Sequence, residues 1–384
     1  MTNDIVDQIR RHGSISFDVY MEAALYGADG FFSSGRGAGR SGSDFVTSVE
    51  SGSLFGAMVA EALDREWDAL GQPDPFVVIE AGAGNGRLAR EVERSMPRCN
   101  RALRYVLVER SAALREAQRS MVPLDDPSVV LGPFGHGPDD DCDDVLVPIG
   151  GGGPRFAQLT ELPAGRFDGV VFANELLDNL PFGIAQYDGS QWNEARVGLG
   201  GDGQLQFVYT AMSEPIEFRG AAVTGTRIPL DRSLSTWVEQ ASRCLNRGVL
   251  LLVDYLAPME AIVARSPDWL RTYSAHRRGH NPLFSPGGCD ITADVPLEYL
   301  QHAAQRSGLT MQAPIMQRDW LRSLGIEHRV RTANDLWNQR SHIGDLEAMK
   351  AKSVVNEAAL LTDAAGLGSF MVARLTRSHP HRTS

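Results

Sequence analysis

Glu80, Gly82, Gly84 and Gly86 fall within the stretch Val77–Arg90, VVIEAGAGNGRLAR. An apolar run, an acid, alternating glycines and then helix-forming residues predict a parallel strand, a tight turn and a helix N-terminus. Glycine permits the positive φ of such a turn, and its missing Cβ lets a ligand approach the backbone. The first amides of the helix face the same space. The chemistry predicted is binding of a nucleotide-like cofactor; the plain alternative is a glycine-rich β-α turn with no ligand. The spacing argues against two cofactor classes. A dinucleotide fingerprint, G-x-G-x-x-G, needs glycine where Arg87 stands, and a P-loop ends in Gly-Lys-Ser/Thr, which is absent.

Further acids could work beside this turn. The run Arg104–Arg110, RYVLVER, reads as a second strand ending in Glu109. Rossmann-type sheets place a carboxylate there for ribose hydroxyls, and a carboxylate can accept two hydrogen bonds from a vicinal diol. Alternatively Glu109 begins a loop or caps helix 111–120. Residues 167–182, FDGVVFANELLDNLPF, read as another strand whose apolar run ends at Asn174-Glu175. Open α/β sheets put their ligand crevice at that end. Asp178 lies three positions after Glu175, so on a helix the two would share a face. The alternative is that both cap that helix. His276 and His280 could be a base or ligand pair or belong to a surface loop, and Asp290 could order a loop over the site.

The elements that must position these residues alternate along the chain. The predicted fold class is α/β: a doubly wound, Rossmann-like sheet with an N-terminal helical and lid segment and insertions on the substrate side. Residues 1–70 read as helices around a glycine-rich loop, with Phe17, Tyr20, Met21, Ala24 and Leu25 on one core-facing stripe. Residues 71–260 form the cofactor-binding core, with insertions at 132–155 and 184–210, the latter a β-hairpin or small meander. Residues 261–384 complete the sheet around a helical insertion at 318–366. Strands are expected at 249–256, 309–314 and 369–376, and helices at 233–246 and 295–307. The loop at 31–48 could be a mobile lid or a plain surface loop.

Composition narrows the class. With 43% hydrophobic and 22% charged residues, the 384-residue chain is an ordinary globular protein with ample core. A net charge of −11 without a basic stripe argues against nucleic acid. The longest apolar run, VLLLVDYL, suits a buried strand rather than a membrane span. The N-terminus lacks a signal peptide's apolar region. Cys99, Cys142, Cys244 and Cys289 are widely spaced, suggesting neither zinc nor disulfides, and a cytoplasmic location is expected. The acidic run at 139–144 reads as a solvated insertion, so no metal is expected.

The motif E-x-G-x-G-x-G resembles motif I of class I S-adenosylmethionine (SAM) methyltransferases. ISFDVYMEAALYG, ADGFF, SDFVTSVESGSLFG, ANELLDNLPF and SPGGCDITADV, in order over about residues 14–376, together resemble the MidA-like methyltransferases. That family includes the mitochondrial complex I assembly methyltransferase. The resemblance implies a class I methyltransferase fold, SAM as cofactor, and methylation of a protein arginine; a homodimer is allowed. With SAM as cofactor, Glu80, Gly82, Gly84, Gly86, Glu109 and Asn174 are expected to contact it, and Glu175, Asn174 and Asp178 to carry catalysis. The chain departs from the family at Val49, where T-x-P-E is usual, at Leu256, where Asp-Tyr-Gly is usual, and in the longer insertion at 132–155. Two alternatives stand beside it: a small-molecule O- or N-methyltransferase, and a SAM-binding assembly factor that docks a partner.

Overall fold

The computed structural model describes residues 2–34, 47–132, 150–212, 216, 218, 220–266, 268–274, 277–279 and 281–377. The acidic run at 139–144, Cys142, His276, His280 and most of the glycine-rich loop lie outside the described residues.

Eight strands build the central sheet: β1 (Phe76–Ala81), β2 (Leu103–Val108), β3 (Arg155–Leu159), β4 (Phe167–Asn174), β5 (Leu245–Asp254), β6 (Thr310–Met311), β7 (Ile315–Met316) and β8 (Met371–Arg377). Their order is β6-β8-β5-β4-β1-β2-β3, with β7 also on β8. The run from β5 to β3 is parallel, and β8 is antiparallel to β5. Pro314 lies between β6 and β7; it has no N–H to donate to β8, so the expected strand at 309–314 becomes two short pieces.

Parallel strands covered on both faces must be apolar throughout rather than alternating. Every residue of β1 and β2 is buried. Phe76 and Val78 face one core with Phe55, Met58, Tyr105 and Trp320. Val77 and Ile79 face the other, with Val238, Leu250 and Leu300. Helices Leu54–Ala69 and Arg87–Arg94 are among those covering the first face, and Leu234–Arg243 and Leu297–Arg306 among those covering the second.

The expected meander is part of a five-stranded antiparallel sheet made of Gly183–Tyr187, Trp192–Leu199, Leu205–Ala211, Arg227–Leu230 and Ile15–Ser16. Ile15 pairs with Val197, so the N-terminal segment is stitched into the insertion. The predicted stripe Phe17, Tyr20, Met21, Ala24 and Leu25 is buried, packed with Phe182, Ile184 and Trp269. A three-stranded sheet of Leu270–Ser274, Arg277–Gly279 and Asp290–Ala293 went unseen in the sequence.

Register lines up the strand ends. Ala81 lies beside both Val108 and Ala173, Val108 beside Leu159, and Asn174 beside Val253. Gly82, Glu109, Glu175 and Asp254 therefore emerge along one carboxyl edge.

Candidate active site

A cavity of about 880 Å³ opens over that edge, within the roughly 300–1,000 Å³ of small-molecule sites. Its cofactor side is backbone. Gly82 and Gly84 have φ of 71° and 53°, and a Cβ on Gly84 would meet no protein atom within 4 Å. The Gly84 N–H donates to Glu109 Oε2 at 2.9 Å, and the Ser111 N–H donates to Oε1 at 2.8 Å. Glu109 thus ties the glycine turn to the end of β2. Burial raises its pKa, while the Ser111 and Gly84 amides oppose that. Two amides leave carboxylate lone pairs for a diol. Glu80 also lines the cavity, accepts from the Tyr105 hydroxyl at 2.8 Å, and is pushed by burial up to about 8.

Gly86 stands apart from the cavity wall. Its φ is 83°, and a Cβ there would sit 3.1 Å from Leu107 Cδ2 and 3.2 Å from Gln118 Cγ. It packs helix Arg87–Arg94 onto β2, the packing duty of a dinucleotide motif's last glycine.

The opposite side is built from side chains. Glu175 follows β4 with φ of 53°, a left-handed conformation that costs a non-glycine residue about 1–3 kcal/mol and clusters at functional sites. Its Oε1 accepts from the Ser48 N–H and from Asn174 Nδ2, each at 3.0 Å. Burial pushes Glu175 up to about 8; the two donors resist, while the charges of Asp178 and Glu50 add to the rise. Asn174 Oδ1 is buried with no hydrogen-bond partner among the described residues, although Asn174 lines the cavity. Asp178 accepts from the Thr292 hydroxyl at 2.5 Å. Burial raises Asp178 to about 6, opposed by Thr292 and the Arg271 charge. Asn179 Nδ2 donates to Asp290 Oδ1 at 2.9 Å, which joins Asp290 to the same wall.

The expected shared helical face of Glu175 and Asp178 does not form. Left-handed Glu175 precedes a short 3-10 turn, Leu177–Asn179, that contains Asp178. Nor does either cap that turn. Asp254, at the end of β5, accepts from the Leu176 and Leu177 N–H groups at 3.0 and 2.8 Å. Burial holds Asp254 well above the carboxylate range, with Asp178 adding to the effect. Asp254 precedes the Leu256 departure by two positions, and nothing in its local sequence marks it as a site residue. Two other wall residues carried no legible signal: Tyr26, at the end of an apparently core-facing helix, and Arg110, whose guanidinium stacks 4.4 Å above the Tyr26 ring and pairs with Glu22. Among the described residues no cluster of three His, Cys, Asp or Glu could hold a metal, and no helix could cross a membrane.

A parallel β3-β2-β1-β4-β5 sheet extended by a reversed strand, with a glycine turn bonded to an acid on the next strand, defines a class I SAM-dependent methyltransferase fold. The residues fit SAM: open space above Gly84, spare lone pairs on Glu109, and an orphaned buried acceptor on Asn174 for an ammonium group. Residues 58–315 match the family described as "Putative S-adenosyl-L-methionine-dependent methyltransferase", and the chain belongs to that family. Similar curated proteins include the Caenorhabditis elegans protein arginine methyltransferase NDUFAF7 homolog, mitochondrial, 29% identical over 85% of this chain and 76% of the relative. The Homo sapiens protein arginine methyltransferase NDUFAF7, mitochondrial, is 27% identical over 89% of this chain and 77% of its own length. A Burkholderia thailandensis crystal structure bound to S-adenosyl-homocysteine superposes with a TM-score of 0.79 at 25% identity, covering 98% of this chain and 91% of that one.

These relatives overturn the cytoplasmic expectation, because they are named mitochondrial. Cys99, Cys244 and Cys289 are buried and form no disulfide. Widely spaced cysteines do not name a compartment, so they could not carry that expectation.

Proposed function

We propose that this methyltransferase acts on an arginine side chain of a protein. The observation that carries the reading is the pair of acids, half-buried Glu175 and buried Asp178, on the cavity wall at the end of β4. Carboxylates pair with a guanidinium through charge-assisted hydrogen bonds. The names of the similar curated proteins support the same acceptor. When bound, SAM supplies an electrophilic methyl carbon on a sulfonium. In this reading Gly82 and Gly84 approach the cofactor through their backbone, Glu109 takes the ribose diol, and Asn174 Oδ1 takes the ammonium. Glu175 holds the acceptor guanidinium in line. As the new N–C bond forms and the S–C bond breaks, the guanidinium nitrogen loses a proton, and Glu175 receives it. A carboxylate raised to about 8 suits that duty, because a base works best with a pKa near the working pH. Residues 71–260, joined by β6–β8, serve as the cofactor unit, and residues 1–70 help close it.

The test is incubation of the protein and tritiated SAM with cell extract, followed by hydrolysis of labelled bands. Label recovered as methylarginine is expected. Label confined to a metabolite would favour a small-molecule acceptor and would overturn the arginine reading.

A further inference from the structure

The segment 47–53 reaches Glu175 from outside the sheet, and the C-terminal helices hold that segment. Ser48 is fully buried. Its N–H donates to Glu175 Oε1 at 3.0 Å, and its hydroxyl donates to Gln317 Oε1 at 3.1 Å. Gln317, also fully buried, begins helix Gln317–Ser323. Its Nε2 donates to the Leu361 carbonyl at 3.3 Å, and its own N–H donates to the Phe370 carbonyl at 2.7 Å. The carbonyl partner of Nε2 fixes which way the amide points, so Oε1 must face Ser48.

The far end of the segment is pinned as well. The Leu54 N–H, at the start of helix Leu54–Ala69, donates to Glu357 Oε2 at 2.8 Å. The Ser353 hydroxyl holds Glu357 Oε1 at 2.7 Å. A Cβ on Gly52 would lie 2.0 Å from the Glu357 carboxyl carbon, so only glycine lets that carboxylate reach the helix end. Beside and between these anchors, Thr47, Val49 and Glu50 form part of the cavity wall.

We propose that Gln317 and Glu357, neither of which lines the cavity, are positioning residues for methyl transfer: they fix the segment 47–53 so that the Ser48 amide holds the Glu175 carboxylate toward the acceptor. This rests on the role given to Glu175 above. Asp178 on the 3-10 turn, Asp254 at the end of β5, Tyr255 just after it, and Glu50 on the segment face the same carboxylate. The Ser48 amide and the Asn174 amide favour its charge. Loosening the segment removes the Ser48 donor, the strongest influence favouring the charge, and moves only Glu50, the weakest against it; Asp178 and Asp254 stay, so Glu175 becomes harder to ionise.

The test is a carboxyl ¹³C NMR titration of the glutamate-labelled full chain, with the Glu175 signal identified by its loss in Glu175→Gln. In Gln317→Leu and in Ser48→Ala the Glu175 midpoint is expected to rise by about one pH unit. Ser48→Thr, which keeps the hydroxyl, should restore it. SAM affinity by calorimetry should stay within about twofold, because the glycine turn and Glu109 are untouched. An unchanged midpoint in either folded variant overturns the proposal. If Gln317→Leu fails to fold, Ser48→Ala decides, since it loses a single hydroxyl. The titration needs no acceptor, so the two readings fail separately. Full methyl transfer by Glu175→Gln would sink the role of Glu175. A motionless midpoint beside an inactive Glu175→Gln would sink only the positioning inference.

Discussion

The two sides of the cavity are built in different ways. The cofactor side is local: Gly82, Gly84 and Glu109 lie just past the ends of adjacent parallel strands, and backbone amides do most of the work. The acceptor side is assembled from afar. Ser48 reaches Glu175 across 127 positions, Asp254 caps the 3-10 turn from 77 positions away, and Thr292 reaches Asp178 across 114. The first side needs one turn and one acid, which a sheet edge supplies by geometry. The second holds several buried carboxylates close together and must be stiffened by donors brought from distant segments. Apart from Asn174, whose Oδ1 is given to the cofactor, a side chain on the acceptor side should therefore be removable without disturbing the cofactor, and the reverse should hold as well.

Glu175→Gln gives the sharpest break. It keeps the shape but removes the charge and the base, so kcat should fall about 10²–10³-fold while SAM affinity measured by calorimetry stays unchanged. For the wild type, a raised Glu175 is protonated at neutral pH and ionised above about 8. Acceptor kcat/KM should therefore rise with pH and level off above that value, and a flat profile would show that the carboxylate is not the base. Gly84→Val is the mirror experiment. The branched side chain fills the space above the turn and strains a left-handed residue, so SAM affinity should drop about 100-fold or more. The Glu175 titration should stay where it was; movement of both together would show that the two sides are one coupled unit.

That division also explains what the sequence made legible. The glycine turn, Glu109 and the Asn174-Glu175 edge could be read because strand-turn-helix chemistry is local, and parallel sheets repeat the same edge geometry. Asp254, Ser48, Gln317 and Glu357 could not be read as site residues, because their meaning lies in partners far along the chain. Glu175 and Asp178 were placed at the correct strand end but on a helix that does not form. Three positions apart predicts a shared face only if the backbone is helical, and the left-handed φ at Glu175 prevents that. Asp254→Ala tests how much this long-range capping matters. It leaves the buried Leu177 N–H and the Leu176 and Tyr255 N–H groups without their acceptor, at a cost of about 1–3 kcal/mol for each buried donor left unpaired. Chemical denaturation should show that loss, together with reduced transfer.

The smallest effect separates two glycines within one motif. Gly84 and Gly86 both have positive φ, so alanine at either position bears a similar backbone strain of about 1–2 kcal/mol. Their surroundings differ. An alanine methyl at 84 enters the cavity, whereas one at 86 presses on Leu107 and Gln118 inside the helix-sheet interface. Gly86→Ala should therefore lower the melting temperature by a few degrees and leave SAM affinity nearly intact. Gly84→Ala should weaken SAM binding as well as stability. Equal losses of SAM affinity in the two variants would mean that the third glycine touches the cofactor after all, and that the motif works as one binding loop rather than as a binding turn followed by a packing residue.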